Sequence, residues 1–425
     1  MNIHIHTFGC RLNQYESEKI SFELKNMGAN ITELKNADAI AINTCTVTND
    51  SDKKLINYLD KLENISQKKI FLIGCYVSKK ENSKNEENLF NKENITIIPN
   101  DKKEEVSQII FNTLTKNYES EFKNPIFFPQ EQSRAYLKIQ DGCEVFCSYC
   151  IVARVRGKHK SVEPKKIYDA IKIAHEYGYK EIVLTGLNLG SYNYNNEIKF
   201  IQIVKNMLEI SSKFGIRIRL SSIEPIYFDN ELISLFKNPD VLCPHAHIPL
   251  QSGSDKILKL MNRRYTRENY LNIVEKLYKT NSNIGISADI MVGFPNEDSN
   301  DFKDTYNLCE KSKFIKMHIF RYSNRENTPS SKMSNQVGYR TKLKRAKLLN
   351  ELNNKMKDNF YKNAINRELK VIAEKKLENN YYIGTSGEYL KVKFKSEKII
   401  EKKDIIKVKA IKYEDNIIIG EAKNG

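Results

Sequence analysis

The chain has 425 residues, of which 40% are hydrophobic and 29% charged, with 17 glycines and 10 prolines. This composition is typical of a folded protein of two or three domains and excludes a disordered or collagen-like chain. No apolar run approaches the roughly 18 residues that a membrane span needs, and the amino terminus lacks the apolar core of a signal peptide. We therefore expect a soluble cytoplasmic protein with no membrane partner.

The charge of the chain is strongly basic, with 69 Lys and Arg residues against 53 acids and a net charge of +16. Much of the excess of basic residues lies between Lys313 and Lys357, a segment with twelve Lys and Arg residues and only two acids, Glu326 and Glu351. A concentrated basic segment suits phosphate contacts, because neutralising phosphates releases condensed counterions. The charge favours nucleic acid as a partner, and a solvated basic helix is the alternative.

The first hundred residues alternate short β-type runs with helical patterns. The predicted elements are strands at 2–7, 39–43 and 70–73 and a helix at about 16–27. Such alternation favours a parallel sheet with helices on its faces. We expect this α/β domain to occupy residues 1–118 and a linker to follow at 119–133.

From residue 135 the alternation continues with longer units. The predicted strands lie at 135–140, 181–185, 217–221, 245–250, 285–291 and 314–320. The predicted helices lie at 164–177, 199–212, 267–280 and 298–312. Six strand–helix units fit a partial (β/α)6 barrel, in which chemistry is expected at the carboxyl ends of the strands. We expect this domain to occupy residues 134–360.

Residues 361–425 change to short β-type runs separated by Gly, Asn and charged residues. The predicted strands lie at 369–374, 389–394, 405–411 and 417–419. This pattern is typical of a small all-β domain. Tyr381, Tyr382, Tyr389 and Phe394 are candidates for base stacking in such a domain, and a place in its core is the alternative for each of them.

Three of the eight cysteines form the spacing C-x3-C-x2-C, with Cys143, Cys147 and Cys150 in the run GCEVFCSYC. In a cytosolic chain of this size, clustered cysteines are metal ligands more often than disulfide partners. Three thiolates on one loop can hold three irons of a [4Fe–4S] cluster and leave the fourth iron open to a substrate or cofactor. A zinc site completed by a distant His or Cys is the alternative.

A second set of cysteines follows three predicted strands. Cys10 closes HTFGC, Cys45 closes INTC and Cys75 closes LIGC. Because the carboxyl ends of parallel strands meet at one edge of a sheet, we expect a second three-thiolate cluster site there. Gly9 and Gly74 would let the backbone turn tightly beside the bound group. Buried structural cysteines are the alternative.

The loop motif, with Tyr149 immediately before its last cysteine, resembles that of the radical S-adenosylmethionine enzymes. The resemblance implies an open iron that binds the amino and carboxylate groups of S-adenosylmethionine. It also implies that one electron from the cluster cleaves the sulfonium and yields a 5′-deoxyadenosyl radical. In this superfamily the residue in the position of Tyr149 commonly lies beside the adenine.

Two three-cysteine sets in one chain resemble the methylthiotransferases, which join an amino-terminal cluster domain, a radical S-adenosylmethionine domain and a small RNA-binding TRAM domain. The resemblance also lies in TFGCRLNQYESE at 7–18, NTCTVTNDSDKK at 43–54, RLSSIEP at 219–225, HIPLQSGSDKILKLMNRRYT at 247–266 and DIMVGFP at 289–295. The first two runs are most similar to the MtaB-like branch, which acts on threonylcarbamoyladenosine in tRNA. Other branches act on isopentenyladenosine in tRNA or on an aspartate of a ribosomal protein.

The resemblance implies transfer of a methylthio group to C2 of N6-threonylcarbamoyladenosine at position 37 of tRNA, next to the anticodon. It implies two [4Fe–4S] clusters, one on each cysteine set, and two molecules of S-adenosylmethionine. The implied partners are the anticodon loop of tRNA and a reductant protein such as flavodoxin or ferredoxin, while the sulfur source stays open. Outside the enzymes, the alternative is an iron–sulfur RNA-binding regulator.

Four further residues follow predicted strand ends of the barrel domain. Gly186 and Asn188 are candidates for binding the amino-acid end of S-adenosylmethionine. Glu224 and Gln251 point by topology toward the barrel mouth. Helix capping or hydrogen bonding to loop amides is the alternative for these residues.

The remaining cysteines and three histidines carry weaker signals. Cys243 and Cys309 lack ligand-like spacing, and we expect them to pack in the core. His245, His247 and His318 flank or lie within predicted strands. We expect them to be structural histidines with satisfied hydrogen bonds rather than metal ligands.

Overall fold

The structure is a computed structural model that describes residues 1–9, 11–46, 49–63, 68–80, 93–115 and 132–423. The chain forms two compact units: 1–129 with 141–160 and 323–331, and 130–140 with 161–322 and 332–425. Most of the linker predicted at 119–133 lies outside the described residues. Among the described residues, no helix combines the length and apolarity that a membrane crossing requires.

The first unit is built on a five-stranded parallel sheet. Its strands are β1 (Asn2–Thr7), β2 (Asn30–Ile31), β3 (Ala39–Thr44), β4 (Lys69–Gly74) and β5 (Ile95–Ile98). Its helices are α1 (Arg11–Asn26), α2 (Asn49–Glu63), α3 (Cys75–Lys80), α4 (Val106–Thr115) and α5 (Val152–Arg156). The strand order β2-β1-β3-β4-β5 confirms the predicted parallel sheet. The short strands β2 and β5, of two and four residues, were absent from the prediction.

Both faces of this sheet are covered by apolar packing. Ala41 and Phe71 belong to a core cluster on one face, whereas Ile42 and Leu72 belong to a cluster on the other. Side chains alternate between the faces of a strand, so a strand that is covered on both sides reads as a continuous apolar run. This explains why AIAIN and IFLI gave a clear strand signal.

The carboxyl ends of three neighbouring strands lie level with one another at one edge of the sheet. Thr7 of β1 is opposite Asn43 of β3, and Thr44 of β3 is opposite Gly74 of β4. The residues that follow these strands are therefore brought together although they are far apart in sequence. This is the arrangement that the second cysteine set requires.

The second unit contains six parallel strands that form two three-stranded sheets. The strands are β6 (Ala135–Lys138), β9 (Glu181–Thr185), β12 (Arg217–Leu220), β13 (His245–His247), β14 (Gly285–Val292) and β15 (Lys316–Arg321). The sheets have the orders β12-β9-β6 and β13-β14-β15. Isolated parallel bridges at Ile218–Leu242 and Ser222–His247 join them. The six strands thus follow one another in chain order, as the predicted partial (β/α)6 barrel requires.

Helices and short strands connect the barrel strands. The helices are α6 (Pro164–Glu176), α7 (Phe200–Lys213), α8 (Asn230–Leu235), α9 (Asp255–Leu260), α10 (Arg267–Thr280), α11 (Ser299–Ser312) and α12 (Tyr339–Lys362). The short strands are β7 (Gln140–Asp141), β8 (Lys160–Ser161), β10 (Asn193–Tyr194) and β11 (Ile198–Lys199). The strand predicted at 245–250 ends early, at His247. Pro249 lies just beyond this end and has no backbone N–H to donate to a neighbouring strand.

The carboxy-terminal residues form a closed five-stranded barrel. Its strands are β16 (Glu368–Lys376), β17 (Tyr381–Ser386), β18 (Lys391–Lys395), β19 (Ile405–Glu414) and β20 (Ile417–Ala422), in the order β16-β17-β18-β20-β19. This confirms the predicted small all-β domain. The prediction missed β17. It also began β18 too early, at Tyr389, which adopts a left-handed backbone with φ of +78°.

A buried charge network ties the small barrel to the amino-terminal ends of the larger barrel's strands. Glu181 is fully buried and accepts hydrogen bonds from Arg134, Arg217 and Arg219 at 2.7–2.8 Å. Arg219 also donates to the carbonyl oxygens of Gly387 and Ser386. Burial alone would raise the pKa of the Glu181 carboxyl, but the three guanidinium groups hold that pKa well below its ordinary value.

Candidate cluster-binding and cofactor-binding sites

Two cysteines of the second set lie directly after neighbouring strands of the parallel sheet. Cys45 follows β3 and Cys75 follows β4 as the first residue of α3. Both are buried, with exposed fractions of 4% and 5%. Cys10, the third predicted ligand, lies outside the described residues. None of the described cysteines forms a disulfide.

Two glycines make room for this site. Gly9 has φ of +115°, and a Cβ atom there would lie 2.7 Å from Cβ and 3.1 Å from Sγ of Cys45. Gly74 has φ of +97°, and a Cβ atom would lie 2.6 Å from both Oδ1 of Asn43 and the carbonyl oxygen of Thr44. Left-handed backbone and such close contacts are compatible only with glycine. The two positions thus allow the strand ends to approach one another closely.

The thiol of Cys75 is hard to ionise in this environment. Its pKa is raised to about 11, mainly by burial, with contributions from the charges of Glu16 and Cys45 and in spite of the opposing Arg156 guanidinium. A cysteine that ligates a metal must lose its proton. A bound cation supplies the positive charge that stabilises the buried thiolate. The donor set at this sheet edge therefore fits a metal-containing group.

The loop cysteines Cys143, Cys147 and Cys150 lie on an irregular loop of the same unit and are half-buried. The Cys150 amide donates to the Cys147 carbonyl at 3.0 Å, which closes a tight turn. The Val152 amide points at Sγ of Cys150, 3.4 Å away. The pKa of Cys150 is raised to about 12, mainly by burial; the Val152 amide opposes this increase, and the charges of Cys147 and Cys143 contribute to it. Three cysteine sulfurs on one turn, with an amide aimed at one of them, fit an iron–sulfur cluster.

The loop is held in place from both ends. A Cβ atom on Gly142, which has φ of +70°, would collide with the carbonyl oxygen of Lys158, so the two arms of the loop touch there. Asn100 donates to the Val155 carbonyl at 2.7 Å, and the Ser330 amide donates to the Ser148 carbonyl at 2.9 Å. Tyr149, the predicted adenine contact, is half-buried.

The two cysteine sets are linked by the short helix α5, which begins two residues after Cys150. Ile151 and Val155 pack against Cys75 in a small buried cluster. At the carboxyl end of the helix, Nε of Arg156 donates to Sγ of Cys75 at 3.0 Å. The structure therefore brings the loop and the strand-end site together within one unit.

In the second unit, Asn188 and Gly186 surround the side chain of Gln140. The backbone N–H of Asn188 donates to Oε1 of Gln140 at 2.8 Å. A Cβ atom on Gly186 would lie 2.9 Å from the same oxygen. Asn188 is 4% exposed, and its Oδ1 has no hydrogen-bond partner among the described residues. A buried amide oxygen without a partner is costly. It fits an amino-group ligand such as the methionine end of S-adenosylmethionine.

Glu224 and Gln251 lie after strand ends, as predicted. Glu224 precedes a single helical turn, yet its side chain does not cap that turn and instead forms an ion pair with Arg263. Burial raises the pKa of Glu224, Arg263 opposes the increase, and the charge of Asp289 adds to it. Gln251 has a left-handed backbone with φ of +63°, and its backbone N–H donates to the backbone carbonyl of Asp289 at 2.8 Å. The helix-capping alternative is thus wrong for Glu224.

Two of the three histidines meet at one face of the strands β13, β14 and β15. Nε2 of His247 lies 3.2 Å from Oδ2 of Asp289. One potential ligand atom from each of His247, Asp289 and His318 lies within 4.8 Å of the other two. His245 and His247 both contact the Ser287 hydroxyl, at 3.0 and 2.9 Å. The hydrogen bonds fit the predicted structural role of His245 and His247, while the grouping with Asp289 was not predicted.

Other weak candidates take structural places. Cys243 and Cys309 are fully buried, which confirms their expected packing role. Tyr382 and Phe394 are in the core of the small barrel, so base stacking is wrong for these two. Tyr389 instead stacks on His245 with ring centres 4.6 Å apart. Tyr381 is half-buried beneath the ammonium group of Lys393.

Three residues at these sites were not predicted from the sequence: Arg156, Gln140 and Asp289. Arg156 is one of many basic residues, and only its position six residues after Cys150 could have drawn attention to it. Gln140 ends the first predicted strand of the barrel, and Asp289 lies within the strand run DIMVGFP. A polar residue inside an otherwise apolar strand is the signal that could have identified both.

Comparison with known proteins agrees with these sites. Residues 137–309 match the radical SAM superfamily and residues 2–98 match the uncharacterized protein family UPF0004. The chain is 33% identical to the threonylcarbamoyladenosine tRNA methylthiotransferase MtaB of Bacillus subtilis, over 96% of this chain and 93% of that protein. It is 33% identical to the MtaB protein of Thermotoga maritima, over 94% and 92%. It is also 33% identical to the tRNA-2-methylthio-N(6)-dimethylallyladenosine synthase of Pelagibacter ubique, over 91% and 90%.

Among solved structures, similarity extends to the fold. The radical S-adenosylmethionine methyltransferase TsrM of Kitasatospora setae, with cobalamin and a [4Fe–4S] cluster bound, superposes with a TM-score of 0.55 at 11% identity, covering 78% of this chain and 77% of that one. The similarity to TsrM shows the fold, whereas the sequence identity to the MtaB proteins over nearly the whole chain also shows the family. The chain belongs to the radical S-adenosylmethionine methylthiotransferase family, whose members use two [4Fe–4S] clusters and S-adenosylmethionine.

Proposed function

We propose that this protein transfers a methylthio group to C2 of N6-threonylcarbamoyladenosine at position 37 of tRNA. The observation that carries the proposal is the pair of cysteine sites in one compact unit, one on a loop and one on strand ends. The relatives from Bacillus subtilis and Thermotoga maritima, which match over most of their length, bear the name of this activity.

The proposed ligands of the two clusters follow from the two sites. Cys143, Cys147 and Cys150 would hold the cluster that binds S-adenosylmethionine, and Cys45 and Cys75 would hold the second cluster together with Cys10. Three protein thiolates for each cluster leave one iron of each open. Replacing hydrogen on an aromatic carbon offers no acidic proton and no leaving group, so acid–base catalysis alone cannot perform it. The bound cluster and S-adenosylmethionine would supply the radical chemistry that this step needs.

The residues around Asn188 would position S-adenosylmethionine. Oδ1 of Asn188 would accept a hydrogen bond from the amino group of the methionine end, because it has no partner among the described residues. Gly186 would keep space beside Gln140. Tyr149 would lie against the adenine. Glu224, neutralised by Arg263, and Gln251 would complete the polar lining at the strand ends.

Helix α12 would hold the tRNA backbone. Arg340, Lys344, Lys347 and Lys355 are exposed on this helix, whereas Arg345 is buried and forms an ion pair with Glu297 at 2.5 Å. Exposed basic side chains contact phosphates and give binding that weakens with salt. Because tRNA is the substrate, we propose a cytoplasmic location, with flavodoxin or ferredoxin as reductant.

We also propose that function divides at the boundaries expected from the sequence. Residues 1–118 would carry the second cluster, 134–360 the radical chemistry and 361–425 the RNA contacts, with 119–133 as a linker. The compact units divide the chain differently, since the loop at 141–160 belongs with the amino-terminal sheet. In this proposal the loop serves the radical domain although it is packed in the first unit.

A second candidate substrate is N6-dimethylallyladenosine (isopentenyladenosine) in tRNA. The relative from Pelagibacter ubique bears the name of that activity and is as similar in sequence, at 33% identity, as the MtaB relatives. The base, the carbon that receives sulfur and the cofactors are the same for both substrates. The two candidates differ only in the group attached to N6.

The test is a reaction of the purified, anaerobically reconstituted protein with reductant, sulfide and S-adenosylmethionine. It is given tRNA that carries either threonylcarbamoyladenosine or dimethylallyladenosine at position 37. We expect a methylthio product, identified by nucleoside mass spectrometry, from the first tRNA only. Product from the second tRNA alone would transfer the assignment to the other branch. Cleavage of S-adenosylmethionine with no thiolated nucleoside from either tRNA would contradict the proposed reaction.

A further inference from the structure

Arg156 belongs to the loop segment of one cysteine set but contacts a cysteine of the other. It is the last residue of α5, and its side chain is 1% exposed. Its Nε donates to Sγ of Cys75 at 3.0 Å. A charged guanidinium is costly to bury, so its position beside a cysteine sulfur needs an explanation.

The orientation of this guanidinium is fixed by groups other than Cys75. Its Nη1 and Nη2 donate to the two carboxylate oxygens of Glu16 at 2.5 and 3.1 Å. Its Nη2 also donates to Oδ1 of Asn13 at 3.1 Å. A bidentate carboxylate holds the plane of a guanidinium, so Nε is aimed at the sulfur before any group binds there.

Asn13 connects this arrangement to the strand ends. Its Nδ2 donates to Oδ1 of Asn43 at 3.2 Å and to the carbonyl oxygen of Thr44 at 2.9 Å. Asn43 in turn donates to the carbonyl oxygen of Asn13 at 3.0 Å and to the Ser17 hydroxyl at 3.1 Å. The polar residues of the run CRLNQYES are therefore used to build a frame around the strand-end site.

We propose that Arg156 is a positioning and tuning residue for the strand-end cluster: it fixes the Cys75 sulfur and raises the reduction potential of the cluster that this sulfur ligates. The proposal rests on the proposed function, which places a cluster at Cys45 and Cys75. Hydrogen bonds and positive charge at a ligating sulfur stabilise the reduced, more negative state of a cluster. Burial strengthens the effect because the local dielectric constant is low.

The partner Glu16 gives the proposal a signed test. The Glu16 carboxylate offsets part of the positive charge of Arg156. Removing the charge of Arg156 should therefore lower the potential of the strand-end cluster, whereas removing the charge of Glu16 should raise it. If the two side chains affected the cluster only through the folding of the site, both substitutions would shift its potential in the same direction or not at all.

The experiment uses the full chain with Cys143, Cys147 and Cys150 replaced by Ala, so that one cluster remains to be measured. In this background the potential is determined by a redox titration followed by electron paramagnetic resonance. The variants are Arg156→Gln, Arg156→Lys and Glu16→Gln. The matched control is Arg154→Gln, because Arg154 is exposed on the same short helix. Iron content is measured for every variant.

We expect Arg156→Gln to shift the potential to more negative values and Glu16→Gln to shift it to more positive values. Arg156→Lys should restore part of the first shift, and Arg154→Gln should match the background. Unchanged potentials, or shifts of the same sign in both variants, would overturn the role of Arg156. Should Arg156→Gln fail to retain iron, Arg156→Lys is compared with the background instead: a smaller negative shift, from loss of the hydrogen bond between Nε and Sγ of Cys75, supports the proposal, and no shift or a positive one overturns it.

The experiment separates this inference from the proposed function. A background protein that folds but binds no iron and gives no cluster signal would contradict the strand-end cluster itself. A bound cluster with a potential insensitive to Arg156 and Glu16 would contradict only the inference about Arg156.

Discussion

The two cysteine sites of this protein are built in different ways. The loop site places Cys143, Cys147 and Cys150 within eight residues and depends on one irregular turn. The strand-end site depends on the parallel sheet, because Cys45 and Cys75 meet only when β3 and β4 pair in register. The first site is a local feature of the chain, and the second is a consequence of the fold.

One compact unit thus contains two cysteine sites that are held by different means. A loop that is exposed enough to bind a cofactor can be anchored at its two arms, as Gly142 and Lys158 show. A site on strand ends is framed by buried side chains such as Asn43 and Asn13. We expect the loop site to govern cleavage of S-adenosylmethionine and the strand-end site to govern sulfur transfer.

The substitution with the largest expected effect is Cys147→Ala, at the loop site. Loss of one thiolate should abolish the loop cluster, so that both cleavage of S-adenosylmethionine and sulfur insertion fall to background, while iron content falls by about half. The measurements are 5′-deoxyadenosine by mass spectrometry and iron per chain. Full cleavage activity in this variant would show that the loop is not the radical site.

The matching change at the strand-end site is Cys75→Ala. We expect iron content again to fall by about half and sulfur insertion to be lost, while 5′-deoxyadenosine still forms because the loop cluster remains. Cys309→Ala is the control, since it removes another buried thiol on α11 and should retain both activities. If Cys75→Ala lost cleavage with the loop cluster fully loaded, separate roles for the two sites would be wrong.

A smaller effect is expected when the anchoring of the loop is disturbed. In Gly142→Ala the new Cβ atom would collide with the carbonyl oxygen of Lys158, and the residue has φ of +70°. Gly178→Ala is the control, because Gly178 has φ of +74° but open space around it. Overpacking costs about 1–3 kcal/mol beyond the shared backbone strain. We expect Gly142→Ala alone to lower the rate of cleavage and the occupancy of the loop cluster.

In that experiment the strand-end cluster serves as an internal reference. Its spectroscopic signal should be unchanged in Gly142→Ala, because none of its cysteines lies on the altered turn. An equal loss of both clusters in Gly142→Ala would show that the two sites are not independent in folding.

The smallest expected effect concerns tRNA. Lys344→Ala should weaken tRNA binding about twofold to fivefold and reduce the slope of log affinity against log salt by about one. Cleavage of S-adenosylmethionine measured without tRNA should not change, because neither cysteine site is touched. The control is Lys172→Ala on α6, where the side chain is also exposed. Equal weakening by both variants would contradict a binding surface on α12.

The sequence permitted prediction of features that depend on nearby residues. The loop spacing, the strand before Cys45 and the strand before Cys75 are all legible from short runs, and the structure confirms both strands. The contact between Arg156 and Cys75 joins residues 81 positions apart. Such a contact leaves no local pattern, because it depends on how α5 packs against the sheet edge.

The same reasoning explains the other residues that were missed. Gln140 and Asp289 are polar residues in strands, and their partners lie on other strands or loops. The aromatic residues of the small barrel could not be divided between core and surface until β17 was located, because strand register decides the face that each side chain occupies. Tyr382 is therefore in the core, whereas Tyr389 packs on His245.

The most direct test of the central claim is nucleoside mass spectrometry of tRNA from cells that lack this gene, complemented with the wild-type gene or with Cys75→Ala. We expect 2-methylthio-N6-threonylcarbamoyladenosine to disappear, its unthiolated precursor to accumulate, and only the wild-type gene to restore the product. Persistence of the methylthio nucleoside in cells without the gene, or full restoration by Cys75→Ala, would contradict the account.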